Sequence, residues 1–240
     1  MADPRTSIIN ARLRQIKRII AVSSGKGGVG KSLVATTFAL QLAKKGCKVG
    51  LFDLDFTSPS THIILGIKDV QPIEEKGLIP PEVKDLKYMS LIYYSGNEAA
   101  PLRGSETSNA LIELLAVTIW GELDYLILDT PPGIGDVMLD LIRLIPRVEF
   151  LIVTTSSMLA FETVKKQIRL LKEQKIPILG IVENMKRQKS KNIQNQTEEL
   201  GLKFLTEIPY NPEIEDALGN SEMLLCTSVA KEIKALAKNV

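Results

Sequence analysis

Cysteine, histidine and tryptophan are nearly missing from this chain. Its 240 residues include two cysteines, one histidine and one tryptophan, and aromatic residues make up 5%. Two thiols, Cys47 and Cys226, cannot build a disulfide framework and fall short of a four-cysteine zinc site. With His62 alone, histidine metal chemistry has little to work with. No apolar run approaches the roughly 18 residues of a membrane span. The first residues, Met1-Ala2-Asp3-Pro4-Arg5, hold no apolar signal core, so a soluble cytoplasmic protein is the expectation. Neither sign of charge is in excess: 30 Lys+Arg against 28 Asp+Glu leave a net +2. That balance gives no global electrostatic case for nucleic acid or an anionic membrane as partner, and leaves local patches open.

What is there is ordinary globular composition, 45% hydrophobic and 24% charged. At about 150 residues per domain the length allows one or two domains, and the absence of a linker or repeat favours one, spanning 1–240. Short apolar runs read as buried strands: 18–22, 49–52, 125–128, 150–153, 178–182 and 204–208. Helical stripes lie between them. Phe161, Val164, Ile168 and Leu171 are spaced for one helix face, and Leu111, Leu114, Leu115 and Ile119 form a second stripe. Apolar strands alternating with helices predict an α/β fold, a twisted and mainly parallel sheet with helices on both faces. Residues 67–94 break the rhythm, and Gly77, Pro80 and Pro81 suggest a hairpin-like excursion before a helix starting near Ser105.

The most informative stretch is Ser24-Gly25-Lys26-Gly27-Gly28-Val29-Gly30-Lys31-Ser32, directly after the first strand. It fits two patterns. Gly25, Gly27 and Gly30 satisfy the dinucleotide fingerprint, with Asp53 ending the next strand about 20 residues on. Gly25 to Ser32 also satisfies the G-x-x-x-x-G-K-[ST] phosphate loop. A dinucleotide pyrophosphate needs neither a lysine nor a hydroxyl there. A triphosphate with magnesium needs both, Lys31 for the β- and γ-phosphates and Ser32 for the metal. It also needs an aspartate after another buried strand to hold the metal through water, and Asp129 supplies it. The triphosphate pattern fits more residues.

Lys26 has no place in an ordinary phosphate loop. Lys26-Gly27-Gly28-Val29-Gly30-Lys31-Ser32 resembles the K-G-G-x-G-K-[ST] signature of the deviant Walker-A ATPases, which include the MinD, ParA, nitrogenase iron protein and Mrp/ApbC families. The resemblance implies a magnesium-dependent ATPase that dimerises around ATP, with Lys26 reaching the partner's phosphates and Lys31 its own. It also implies roles for the aspartates of Asp53-Leu54-Asp55, with Asp55 orienting the attacking water and Asp53 supporting the hydrated magnesium. Gly133, in Asp129-Thr130-Pro131-Pro132-Gly133, would sense the γ-phosphate through its amide. Asn184 matches the family position for adenine recognition, and Pro209 and Tyr210 match the loop that closes over the base. Residues 12–32, Pro59-Ser60, Leu102-Arg103-Gly104, 120–125 and Glu183-Asn184-Met185 resemble the Mrp/ApbC iron–sulfur cluster carriers in particular, covering most of 12–214.

One departure stands out. Family members carry C-x-x-C shortly after the Glu-Asn-Met triplet, where two protomers pool thiolates around a cluster; this chain has Lys186-Arg187-Gln188-Lys189-Ser190-Lys191. Cys47 and Cys226 are expected in the core, so cluster carriage by the family route is in doubt, and the partner is an unidentified client protein. The basic segment is a candidate dock for an acidic protein or a nucleic-acid backbone. A positioning or partitioning ATPase of MinD/ParA type, acting on a membrane, DNA or protein, is the alternative. Against a membrane role, the stripe Val229, Ile233, Leu236 and Val240 is narrow and free of aromatics, which predicts a helix closing the sheet's edge.

Overall fold

In a computed structural model, which describes residues 3–95 and 104–238, the apolar runs pair as parallel strands. Helix α1 (Arg5–Leu13) leads into β1 (Ile16–Ser24), α2 (Lys31–Lys44), β2 (Val49–Asp53) and α3 (Thr61–Leu65). The excursion follows: β3 (Ile73–Glu74) and β4 (Leu78–Ile79) form an antiparallel hairpin, then β5 (Glu82–Val83), β6 (Leu86–Ser90) and α4 (Ile92–Ser95). The remainder alternates as α5 (Ser105–Val117), β7 (Leu123–Asp129), α6 (Asp136–Leu144), β8 (Val148–Thr155), α7 (Met158–Glu173), β9 (Ile178–Lys186), α8 (Asn192–Glu199) and β10 (Phe204–Pro209). Three helices end it: α9 (Ile214–Ala217), α10 (Ser221–Cys226) and α11 (Ser228–Lys238).

The eight-stranded sheet runs β10-β9-β8-β1-β7-β2-β6-β5, parallel throughout except for β5 against β6. Alternation along β1 shows why both faces need helices. Ile19 and Ala21 face one apolar layer with α1, α5, α6 and α7, whereas Ile20 and Val22 face the other with α2, α3, α10 and α11. Gly50 in β2 has no side chain because Trp120 crosses there: a Cβ would lie 2.9 Å from Cζ3 of the indole.

Three expectations change. Ile119 is not helical. The Thr118 hydroxyl donates to Leu114 O (2.6 Å), the backbone turns extended, and Ile119 N donates to Leu78 O (2.7 Å), tying the excursion to α5. Strand β6, with Lys87 as its second residue, was hidden inside the irregular stretch, yet it is a full parallel neighbour of β2. Cys226 is exposed and not in the core, because it sits two residues after buried Leu224 on a short helix and so faces away; Cys47 is half-buried. The stripe of α11 packs as expected, with Val229, Ile233 and Leu236 buried. Leu102 and Arg103 lie outside the described residues, as does Val240.

Candidate functional site

Parallel strands end on one edge, and the loops there carry the polar residues singled out above. The phosphate loop bridges β1 and α2. Gly30 starts α2 with a left-handed backbone (φ 76°), and a Cβ there would lie 2.4 Å from the Asn184 amide nitrogen. That amide donates to Val29 O at 2.9 Å, so Asn184 holds the loop from below. On the other side Gly25 lies against α7, where a Cβ would meet Thr163 Oγ1 at 2.3 Å and Val164 N at 2.7 Å.

Within this frame Lys31 is 6% exposed and Asp129 not at all. The ammonium donates to Asp129 Oδ1 at 2.5 Å and to Ser32 Oγ at 3.1 Å. Asp129 Oδ2 is buried with no hydrogen-bond partner among the described residues. A buried charged oxygen without a donor is costly, which marks a place for a further positive or donor group. Burial pushes the Asp129 carboxyl up, and the Lys31 charge opposes that.

Asp53 is the register partner of Asp129 on β2. Its Oδ2 accepts from Thr61 Oγ1 (2.6 Å), Thr61 N (3.2 Å) and Ser60 N (3.2 Å), and its Oδ1 accepts from Asp55 N (3.1 Å). It therefore ties the start of α3 to the sheet. Burial, and then the nearby Asp129 charge, push it up to about 7. Asp55, also buried, accepts from Thr57 Oγ1 (2.9 Å) and Ser58 N (3.1 Å). Gly133 N donates to Ser24 O at 2.7 Å, which closes the Asp129–Gly133 loop onto the phosphate loop.

A cavity of about 460 Å³ opens over the loop, lined by Lys26 to Ser32, Asp55 and Pro132, and extended by Met185, Ile214 and Leu218. Lys26 is exposed on its rim, and its side chain makes no hydrogen bond or ion pair with the described residues. Gly25, Lys26, Gly27, Gly28, Val29, Gly30, Lys31, Ser32, Asp53, Asp55, Asp129 and Gly133 are thus brought together. Asn184 joins them by touching the loop from below, without lining the cavity, whereas Pro209 and Tyr210 do not line it. Tyr210, 46% exposed, instead lies under the Arg187 guanidinium, 4.1 Å from its ring centre.

Sequence reasoning missed the residues that support the loop from α7. Gln167, fully buried, donates to Ser23 Oγ at 2.9 Å at the end of β1. The signal was present: Gln167 falls between Val164 and Ile168 on the apolar stripe, where a polar side chain needs a reason. The basic segment also differs from expectation. Lys186 is not a free surface charge; it pairs with Glu207 and with Glu183 (3.1 Å), its side chain 8% exposed. Burial works against its charge, but the two carboxylates outweigh this and hold it above the ordinary lysine range.

A left-handed glycine loop at a helix start, its lysine on a buried strand-end aspartate, defines a P-loop nucleotide-binding protein. Solved structures share the fold. A nucleotide-binding protein from Archaeoglobus fulgidus in complex with ADP superposes with a TM-score of 0.79 at 30% identity, covering 94% of this chain and 95% of its own. The septum site-determining protein MinD of Pyrococcus horikoshii, complexed with Mg-ADP, gives 0.70 at 21% identity, over 92% and 95%. A family model for the NUBPL iron-transfer P-loop NTPases, of ParA type, matches residues 15–240. The chain belongs to that family. The iron–sulfur cluster carrier protein of Methanocaldococcus jannaschii is 36% identical over 97% of this chain and 87% of its own length. The Aquifex aeolicus protein of the same name is 37% identical over 93% and 67%. Against the Escherichia coli K12 carrier protein, 43% identical, the chain spans 47% of the relative's length.

Proposed function

We propose that the chain binds ATP with magnesium, dimerises around it, hydrolyses it slowly, and uses the cycle to serve iron–sulfur cluster assembly through a client protein. The Lys31–Asp129 pair beside Ser32 carries this reading. Lys31 is held at the mouth of a phosphate-sized loop by a carboxylate whose second oxygen has no partner. Ser32 and Asp129 are the residues that would hold magnesium, which when bound supplies positive charge against the phosphates. Asp53 would act behind them, fixing the start of α3. Lys31 stabilises charge developing on the transferred phosphoryl group, and Asp55 positions the attacking water. Lys26, free on the rim, would add a second cation across a dimer. Asn184 and Gly133 would act through the loop they touch, and Pro209 and Tyr210 would border the base from the neighbouring loop.

The iron–sulfur part draws on the relatives' names. Their cluster is cargo, and this chain's residues do not offer it the family's thiolates: residues 186–191 hold no cysteine, and Cys47 sits at the amino end of β2, on the sheet edge opposite the phosphate loop. Among the described residues no group of three or more His, Cys, Asp or Glu side chains could hold a metal ion. We therefore assign the chain an ATP-driven role on a client, and not the pooling of its own thiols. No described helix is long and apolar enough to cross a membrane, and the apolar face of α11 is spent on α2 and β10, which gives the positioning alternative no membrane helix there.

Lys26→Ala tests the switch. Light scattering with ATP should show loss of the dimer, and phosphate release should fall at least about a hundredfold. A full dimer with full activity overturns the cross-protomer role. Anaerobic iron–sulfide reconstitution should give near-zero iron, whereas about four irons per dimer would overturn the client route.

A further inference from the structure

A second cavity, of about 490 Å³, lies beside the first, between the ends of β8 and β9 and the starts of α7 and α8. Its wall sets polar side chains, Arg187, Gln188, Asn192 and the hydroxyls of Ser156, Ser157 and Ser190, beside the apolar Met185 and Ile193. One carboxylate, Glu183, also faces it, and that charge is already answered. Its Oε1 accepts from Ser156 Oγ at 2.7 Å and its Oε2 from Lys186 Nζ at 3.1 Å. Lys186 is shared between Glu183 and Glu207 and offers no free charge to the cavity.

Arg187 is left as the uncompensated charge of the cavity. Its guanidinium is oriented by the Tyr210 ring, yet among the described residues it makes no hydrogen bond and no ion pair. Lys189 and Lys191, both exposed, are chain neighbours of the lining residues Gln188, Ser190 and Asn192. A planar cation with its donors free, set in a pocket of hydroxyl and amide groups, matches a carboxylate held bidentately.

We propose that this cavity docks an acidic segment of the client protein, its carboxylates seated on Arg187. This deepens the function above by naming the partner's chemistry, and rests on that reading only in supposing a client. Three cations on one short segment do not make the long cationic track that a nucleic-acid backbone needs, and one face of the Tyr210 ring is already taken by Arg187. Docking here adjoins the nucleotide. Met185, in a left-handed backbone (φ 56°) rare for a side chain, lines both cavities.

The test uses the full chain and two fluorescein-labelled peptides, deca-glutamate and deca-glutamine, followed by anisotropy at low and high salt, with and without ATP. Wild type should bind deca-glutamate, more weakly at high salt, and ignore deca-glutamine. Arg187→Gln should weaken binding about tenfold or more. Asn192→Asp places a like charge in the pocket at a helix start that tolerates an acid, so the fold and ATP hydrolysis remain while peptide binding falls several-fold. ATP hydrolysis, assayed separately, distinguishes failure of the switch from failure of the dock. Equal binding of deca-glutamine overturns the proposal. So does unchanged binding by both variants, or a single-stranded oligothymidylate that binds more tightly than deca-glutamate and is lost in the same variants.

Discussion

Removing Lys31 should destabilise the protein in the absence of any nucleotide, with a pH dependence of known sign. Lys31→Met deletes the one cation that, among the described residues, is bonded to Asp129, whose side chain is fully buried and whose Oδ2 already has no partner among them. Asp53, the register partner of Asp129 and also buried, adds a like charge beside it. Breaking a buried ion pair from one side costs about 3–5 kcal/mol, because an unanswered charge remains. At about 2–4 °C per kcal/mol for a domain of this size, the melting temperature should fall by about 10 °C at neutral pH. Both carboxyls are pushed above the ordinary aspartate value by burial. In the folded state they therefore keep protons that the unfolded chain has released, and stability falls as pH rises through that interval. The deficit of Lys31→Met should accordingly shrink as pH is lowered towards about 4, where the raised carboxyls are neutral in the folded state and no buried charge is left unanswered. Lys31→Met combined with Asp129→Leu should recover most of the loss, since no unpaired charge is left. The assay is urea or thermal unfolding by circular dichroism across pH. A single mutant as stable as wild type at neutral pH, or a deficit that grows on acidification, would refute the argument.

Four further outcomes follow from the same geometry. Gly25→Ala forces a methyl against the backbone of Thr163 and Val164, so it should cost about 1–3 kcal/mol in urea unfolding and weaken ATP binding as α7 is pushed from β1. Gly28→Ala meets no atom within 4 Å but holds a φ of 77°, and should cost only about 1 kcal/mol of backbone strain. Wild-type stability should decline as pH rises from about 4 to about 7, the interval in which the unfolded chain has released the Asp53 proton while the folded state, its carboxyl pushed up to about 7, still holds it; a flat profile there would refute the placement of Asp53. Lys186→Met should cost about 1–3 kcal/mol, because Glu183 is left buried with Ser156 as its one partner, and Glu183→Gln added to it should restore part of that; an unaffected single mutant would mean the pair is solvated.

How far the sequence could be read depended on where each element obtains its partners. Five of the six apolar runs announce themselves because a strand buried on both faces must be largely apolar, the edge run 204–208 being only partly buried, and all six pair in the sheet. The phosphate loop is equally local: a glycine loop, a lysine and a hydroxyl within nine residues, with Asp129 found by applying the same rule to another strand. Elements completed by distant contacts were silent. Strand β6 exists because β2 offers it a parallel edge, and its Lys87 is satisfied by Trp120 O at 2.7 Å, a partner no window around residue 87 contains. Helix α1 buries only Ile9 and Leu13, too few for a stripe.

The basic segment teaches the opposite lesson, because composition made it look uniform. Lys186, Arg187, Lys189 and Lys191 read alike in sequence, yet the fold gives them separate tasks. Strand geometry turns Lys186 inward onto Glu183 and Glu207, and Tyr210 holds Arg187 flat at the rim of a polar cavity. Had all four been solvated, charge density would be their only property, and any polyanion would serve as partner. Because one is withdrawn to neutralise the cavity's own carboxylate and another is held with its donors free, the surface selects for a carboxylate at a defined point. A row of four interchangeable cations could not make that selection.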